Sequence, residues 1–248
     1  MHLFEQIRPE LLEDIKLLCQ KHKLSLFEKI RKEVDVLNLK SLLTEAHFGI
    51  YFDKIGTNLR YNNRISRDFD FTPDFAFLQN DQEIIAEVCR VNPVEKEIQL
   101  HTNKNFILET SSHTITWKPE KLNGKNSALS KKANKYGPLG EHFHRPIMFC
   151  VYLDFISGLN DLDLNHSLYG TPAEFAGEFE WNEYYPGADF HSLNGALFYD
   201  NEQMRKNISG VILRNNNGTY TYFHNFSSTN KINKENKDFF LKLQYLYT

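Results

Sequence analysis

Apolar residues recur at helical spacing through residues 1–55, and beyond that point the period drops towards two. Leu11, Leu12, Ile15, Leu17 and Leu18 follow Pro9, which suits a first helical position. A second helical stretch carries Leu24, Leu26, Phe27 and Ile30. A third, over residues 38–52, places Leu39, Leu42, Leu43, Ala46 and Ile50 on one side and ends at Gly56. Residues 59–65 form a strand or an ordered loop around Tyr61. The short apolar runs 74–78 and 83–88 flank Gln-Asn-Asp-Gln, a hairpin pattern.

After Pro93 the chain turns polar, with a helix expected near the start of that region and an extended stretch at 110–117. An Asn- and Gly-rich loop then runs into a basic helix ending near Tyr136. Residues 146–154 are nearly all apolar, as in a strand covered on both faces of a sheet. A second hairpin is expected from 208–213 and 219–223, and a last helix from 237–247. Residues 161–199 show little periodicity and read as an insertion or a lid. The predicted class is α/β (α+β): a mixed central β-sheet flanked by helices in one domain. Its parts are a helical 1–56, a core 57–155, an acidic insertion 156–204 and a C-terminal hairpin and helix 205–248.

The 248 residues suffice for one large domain, and 41% hydrophobic with 14% aromatic content argues against disorder. The absence of an eighteen-residue apolar run predicts no membrane span. The first residues lack a signal-peptide pattern, and Cys19, Cys89 and Cys150 lie too far apart for a disulfide framework or a zinc motif. A cytoplasmic protein with reduced thiols is the expectation. Net charge is only −3, but its distribution is uneven: residues 103–146 hold eight Lys or Arg against three Glu, whereas 146–204 hold ten acids and no Lys or Arg. A local basic patch of this kind can meet phosphates, although a solvated helix face gives the same pattern.

The hairpin fixes a geometry. With Asn80 and Asp81 at the turn, Gln79 faces Gln82, and counting outward sets Asp74 opposite Glu87 on one face, with Cβ atoms about 5 Å apart. Two carboxylates so placed repel unless a proton or cation lies between them. Two unrelated acids on an exposed hairpin would look similar. Against that, Ile84, Ile85, Ala86 and Val88 make the second strand apolar on both faces, where an uncompensated Glu87 is costly. Mg²⁺ is commonly held by one or two carboxylates with waters and phosphate oxygens.

Thr72-Pro73-Asp74, the hairpin, and Ala86-Glu87-Val88-Cys89 resemble the Pro-Asp…(Asp/Glu)-x-Lys signature of the PD-(D/E)XK nuclease superfamily. Glu45, on the preceding helix, matches a further acid that many members contribute. Lys132-x-x-x-Tyr136 falls where several branches carry Gln-x-x-x-Tyr. The likeness spans roughly residues 41–155 and rests on order and spacing, since the motif is short. It implies a restriction-endonuclease-like fold and hydrolysis of phosphodiester bonds, in DNA first of all. It also implies Mg²⁺ or Mn²⁺ on Glu45, Asp74 and Glu87, and a defence or restriction role.

One position departs. Cys89 stands where the motif has lysine, on the same strand face as Glu87. A neutral thiol cannot supply that positive charge. Lys132 is the first substitute, with Lys131 and Lys135 as others, and the alternative is an inactive scaffold that binds nucleic acid or protein. Arg60, Arg64 and Arg67, around Tyr61, are candidate nucleic-acid contacts together with Lys131 and Lys135. Asp68 and Asp70 are lesser candidate ligands, as are His142 and His144. Cutting both strands of a duplex would call for a two-fold dimer, and a partner protein is the other expected association.

Overall fold

A computed structural model describes residues 3–64, 72–91, 122, 127–153, 161–169, 197–215 and 217–246. After a short 3₁₀ turn, α1 (Pro9–His22) begins on its proline and closes on Lys23, whose φ of 55° is left-handed. Helix α2 (Leu26–Lys32) follows. Helix α3 (Val36–Ile55) is capped by Asp35, whose carboxylate accepts from the Asn38 N–H at 2.8 Å. Phe48, Tyr51 and Phe52 are all buried, so α3 is packed on several sides rather than along one stripe. Its end at Gly56 is steric. A Cβ there would lie 2.6 Å from the Phe77 ring and 2.9 Å from the Leu78 carbonyl.

Six strands follow in spatial order equal to chain order: β1 (Thr57–Tyr61), β2 (Phe75–Gln79), β3 (Gln82–Val91), β4 (Ile147–Leu153), β5 (Gly210–Arg214) and β6 (Tyr220–His224). The outer pairs are antiparallel, and β3–β4 and β4–β5 are parallel. Parallel neighbours need crossovers. Helix α4 (Ala128–Phe143) lies between β3 and β4 in the chain. Helices α5 (Asp161–Tyr169), α6 (Leu197–Asp200) and α7 (Glu202–Asn207) lie between β4 and β5, and α8 (Lys234–Leu246) packs on β6. The β2–β3 turn has Asn80 at φ 43° and Asp81 at φ 58°, the two left-handed residues of a type I′ turn. Gln79 pairs with Gln82 and Phe75 with Ala86, as the sequence predicts.

Alternation divides the core. Phe75, Phe77, Ile84, Ala86, Val88, Met148 and Cys150 join α1–α3 and α8 on one face. Ile85, Cys89, Ile147, Phe149 and Val151 join α4–α7 on the other. Of the segment expected as an acidic insertion, 156–204, the residues 161–169 and 197–204 are described. Leu164, Leu168, Leu197 and Phe198 are buried in the second cluster, so α5 and α6 cover the sheet as parts of a crossover. Low periodicity concealed this because a short helix shows few turns. The predicted stretches around 93–121 lie outside the described residues. No helix among the described residues is long and apolar enough to cross a membrane.

His224 makes stability depend on pH. Its Nδ1 lies 2.9 Å from the Tyr222 hydroxyl, and burial, with Lys237 and Lys231 adding, holds the imidazole down to about 4. Between that value and about 6.5 the unfolded chain binds the proton and the folded chain does not. Stability therefore rises with pH across this window and is lost as pH falls, by up to about 1.4 kcal/mol per unit. Half-buried His47, also held at about 4, acts in the same direction. Urea unfolding at about pH 7 and about pH 5 should show the loss, reduced in His224→Asn. An equal loss in that variant would remove His224 from the cause.

Candidate functional site

The site grows from the hairpin. Asp74 stands one residue before β2, and its carbonyl accepts from the Asn62 N–H at 3.0 Å, continuing the β1–β2 ladder. Its own N–H donates to Glu87 Oε2 at 3.3 Å, while the Val88 N–H donates to Asp74 Oδ2 at 2.8 Å. Each carboxylate is thus tied to the backbone of the opposite strand. Glu87, in the middle of β3, is only 4% exposed. The two acids are held side by side by the pairing that makes the sheet.

Helix α4 supplies the opposing charge. Lys132 and Tyr136, four residues apart and so on one helix face, both reach Glu87 Oε1. Lys132 Nζ forms an ion pair with that oxygen, and the Tyr136 hydroxyl donates to it at 2.7 Å. Lys135 Nζ donates to the Tyr136 oxygen at 3.1 Å. A buried carboxylate with these donors is compensated, whereas one stripped of them would be strongly destabilising.

Glu45 approaches from α3. Its Oε2 accepts from the Tyr61 hydroxyl at 2.7 Å, and Lys29 Nζ donates to the Tyr61 oxygen at 3.3 Å and sits 4.7 Å above the ring. Burial raises the Glu45 carboxyl and the Glu87 charge adds to this, against Tyr61, Lys29 and Lys132. Burial, then the charges of Glu87 and Glu45, push Asp74 up to about 8. Burial pulls on Lys132 in the other direction, but Glu87 and Asp74 more than offset it and hold the ammonium above its usual value. Three acids therefore share one electrostatic cluster around one half-buried lysine.

Among the described residues no three or more His, Cys, Asp and Glu side chains converge on one point. The close pair is Asp74 with Glu87, with Glu45 held by Tyr61. That pair fits a hard divalent cation, which takes one or two carboxylates and fills its other positions with water. Asp74 is raised by burial first and then by the charges of Glu87 and Glu45, and added positive charge would relieve that second cause.

Cys89 lies on the strand face of Glu87, as expected, and packs in the cluster that holds Leu129, Ala133 and Tyr136. It is 2% exposed, and burial lifts its thiol to about 11, so it carries no charge. Arg60 forms an ion pair with Glu83 that Arg145 shares. Arg64, Lys131, Lys135, His142 and His144 are exposed. Arg67, Asp68 and Asp70 lie outside the described residues. The sequence reading missed Lys29 as support for Glu45, because nothing local links α2 to β1. In comparisons with family models, curated proteins and solved structures, nothing matches this chain.

Proposed function

We propose that the protein is a Mg²⁺- or Mn²⁺-dependent nuclease with a restriction-endonuclease-like core, hydrolysing phosphodiester bonds in DNA. The observation that carries this reading is the interlocked Asp74–Glu87 pair with Lys132 on the Glu87 carboxylate. The antiparallel β1–β2–β3, the intervening α4 and the parallel β4 support it, being the order the motif resemblance implies. Asp74 and Glu87, with Glu45 beside them, would hold the metal. When bound, a divalent ion supplies Lewis-acid polarisation of the phosphoryl group and lowers the pKa of an attacking water.

The remaining work falls to the chain itself. Tyr136 fixes the Glu87 rotamer, and the Val88 N–H fixes that of Asp74. Lys132 places a positive charge where the pentavalent phosphate gains negative charge. Lys131, Lys135 and Arg64 are exposed cations of the kind that contact backbone phosphates. A defence or restriction role would follow from such an activity, with a two-fold dimer if both strands of a duplex are cut.

A second reading has its own observation. Cys89 is buried and neutral, and Lys132 is already paired with Glu87, as in a scaffold that kept the fold and binds nucleic acid or protein without cutting. The test is cleavage of labelled single- and double-stranded DNA and RNA in Mg²⁺, Mn²⁺ or EDTA. Cutting in metal and none in EDTA is the expected result. Binding without cutting in every metal and on every substrate would leave the scaffold reading standing.

A further inference from the structure

Glu87 and Cys89 face α4, whereas Arg90, next on the strand, faces α3 on the other side of the sheet. There the ends of β3, β4 and β5 meet α3 around a cleft of about 220 Å³. Lys40, Thr44 and His47 line it from α3, with Arg90, Tyr152 and Arg214 from the three strands. The strand residues form one row, Arg90 beside Tyr152 and Tyr152 beside Arg214 in register. Strands lie about 4.8 Å apart, so the two arginine Cα atoms stand roughly 10 Å apart, on either side of the Tyr152 strand.

No described residue lining the cleft is acidic. Three cations around a cavity repel one another at a cost that an anion would remove. The Arg214 guanidinium rests 5.6 Å from the Tyr152 ring, and its Nε is buried with no hydrogen-bond partner among the described residues. Arg90 Nη1 donates to the Leu37 carbonyl at 3.5 Å, which sets its guanidinium beside α3. His47, kept neutral by burial and then by Arg214 and Arg8, adds no negative charge. Guanidinium forks match the oxygens of a phosphoryl group, and the space is several times the roughly 30 Å³ of one water.

We propose that this cleft binds the phosphate group of a phosphate monoester, held between Arg90 and Arg214 with Lys40 also lining the site. The group can come from a free nucleotide or from the end of a nucleic-acid strand. The site uses none of the Asp74–Glu87 residues and needs no metal, so it stands or falls apart from the nuclease reading.

Calorimetry on the full chain in EDTA, titrated with inorganic phosphate, a nucleoside 5′-monophosphate, and an oligonucleotide with or without a 5′-phosphate, tests it. Saturable binding of the phosphate-bearing probes is expected, weakened about tenfold or more by Arg214→Gln and by Arg90→Gln. Lys16→Gln, at an exposed charge far along the chain, should leave it unchanged. Tighter binding of the mononucleotide assigns a free nucleotide, and tighter binding of the phosphorylated oligonucleotide assigns a strand end. Should both variants unfold, wild-type NMR decides: the His47 ring signals must shift saturably with added phosphate. No saturable binding, or binding indifferent to both arginines, or unmoved His47 signals, would overturn the proposal.

Discussion

Asp74→Asn is expected to melt higher than wild type in EDTA while losing metal-dependent cleavage by about 10³-fold or more, a loss of several kcal/mol of barrier lowering. The two effects share a cause. Burial and the negative charges of Glu87 and Glu45 oppose ionisation of Asp74 and lift its carboxyl to about 8. An asparagine has nearly the same shape and its amide oxygen can still accept from the Val88 N–H, but it carries no charge against its neighbours. Removing that repulsion should stabilise the metal-free fold by about 1–3 kcal/mol, as often happens when a strained functional site is neutralised. In a chain of this length each kcal/mol is worth roughly 2–4 °C. Adding Mg²⁺ should then raise the melting temperature of wild type and leave the variant nearly still, since only a state that binds the ion gains from it. Calorimetric scans with EDTA and with Mg²⁺ measure both halves. A variant less stable than wild type in EDTA, or equal Mg²⁺ shifts in the two proteins, would remove the metal from this pair.

How far the sequence reached depends on the distance over which each feature is determined. The β2–β3 hairpin was legible because Asn80 and Asp81 tolerate left-handed φ, and a two-residue turn fixes every pairing beyond it, Asp74 opposite Glu87 included. The second hairpin and β4 were legible for similar reasons, as short apolar runs bounded by turn residues. Helix α5, with nine residues, is too short for its period to stand out from noise, and its role in the β4–β5 crossover appears only once both parallel pairings are known. Lys132 and Tyr136 were legible as an i, i+4 pair, but their meeting with Glu87 depends on α4 crossing β3, which no local pattern encodes. The ion pair of Arg60 with Glu83 was not legible because Glu83 lies on β3, beyond β2. The cationic cleft is the extreme case: Arg90 and Arg214 meet only through the register of three strands, and Lys40 joins them only through the packing of α3 on the sheet.

The position of the lysine is the sharpest test of the chemistry. Lys132→Met is expected to lower the cleavage rate by about 10²–10³-fold, the usual cost of losing one preorganised charge at a reacting phosphoryl group. The loss should fall on kcat with KM nearly unchanged, since the charge matters most when the phosphate gains negative charge in the transition state. The substitution also takes from Glu87 its buried counterion. Breaking a fully buried pair costs about 3–5 kcal/mol; here the Lys132 side chain keeps 27% of its exposure, so a smaller cost of about 1–3 kcal/mol is expected. Rates must therefore be compared well below the melting temperature of the variant. Adding Cys89→Lys to Lys132→Met separates charge from fold. Position 89 lies two residues from Glu87 on the same strand face and packs against α4, so a lysine there can extend to the same carboxylate. Recovery to within about tenfold of wild type would mean that the active centre needs one ammonium beside Glu87 and accepts it from either β3 or α4. Loss confined to KM would instead make Lys132 a contact for ground-state phosphate. An unchanged rate in the single variant would reduce the lysine to a counterion for Glu87, and the catalytic charge would have to come from elsewhere in the chain.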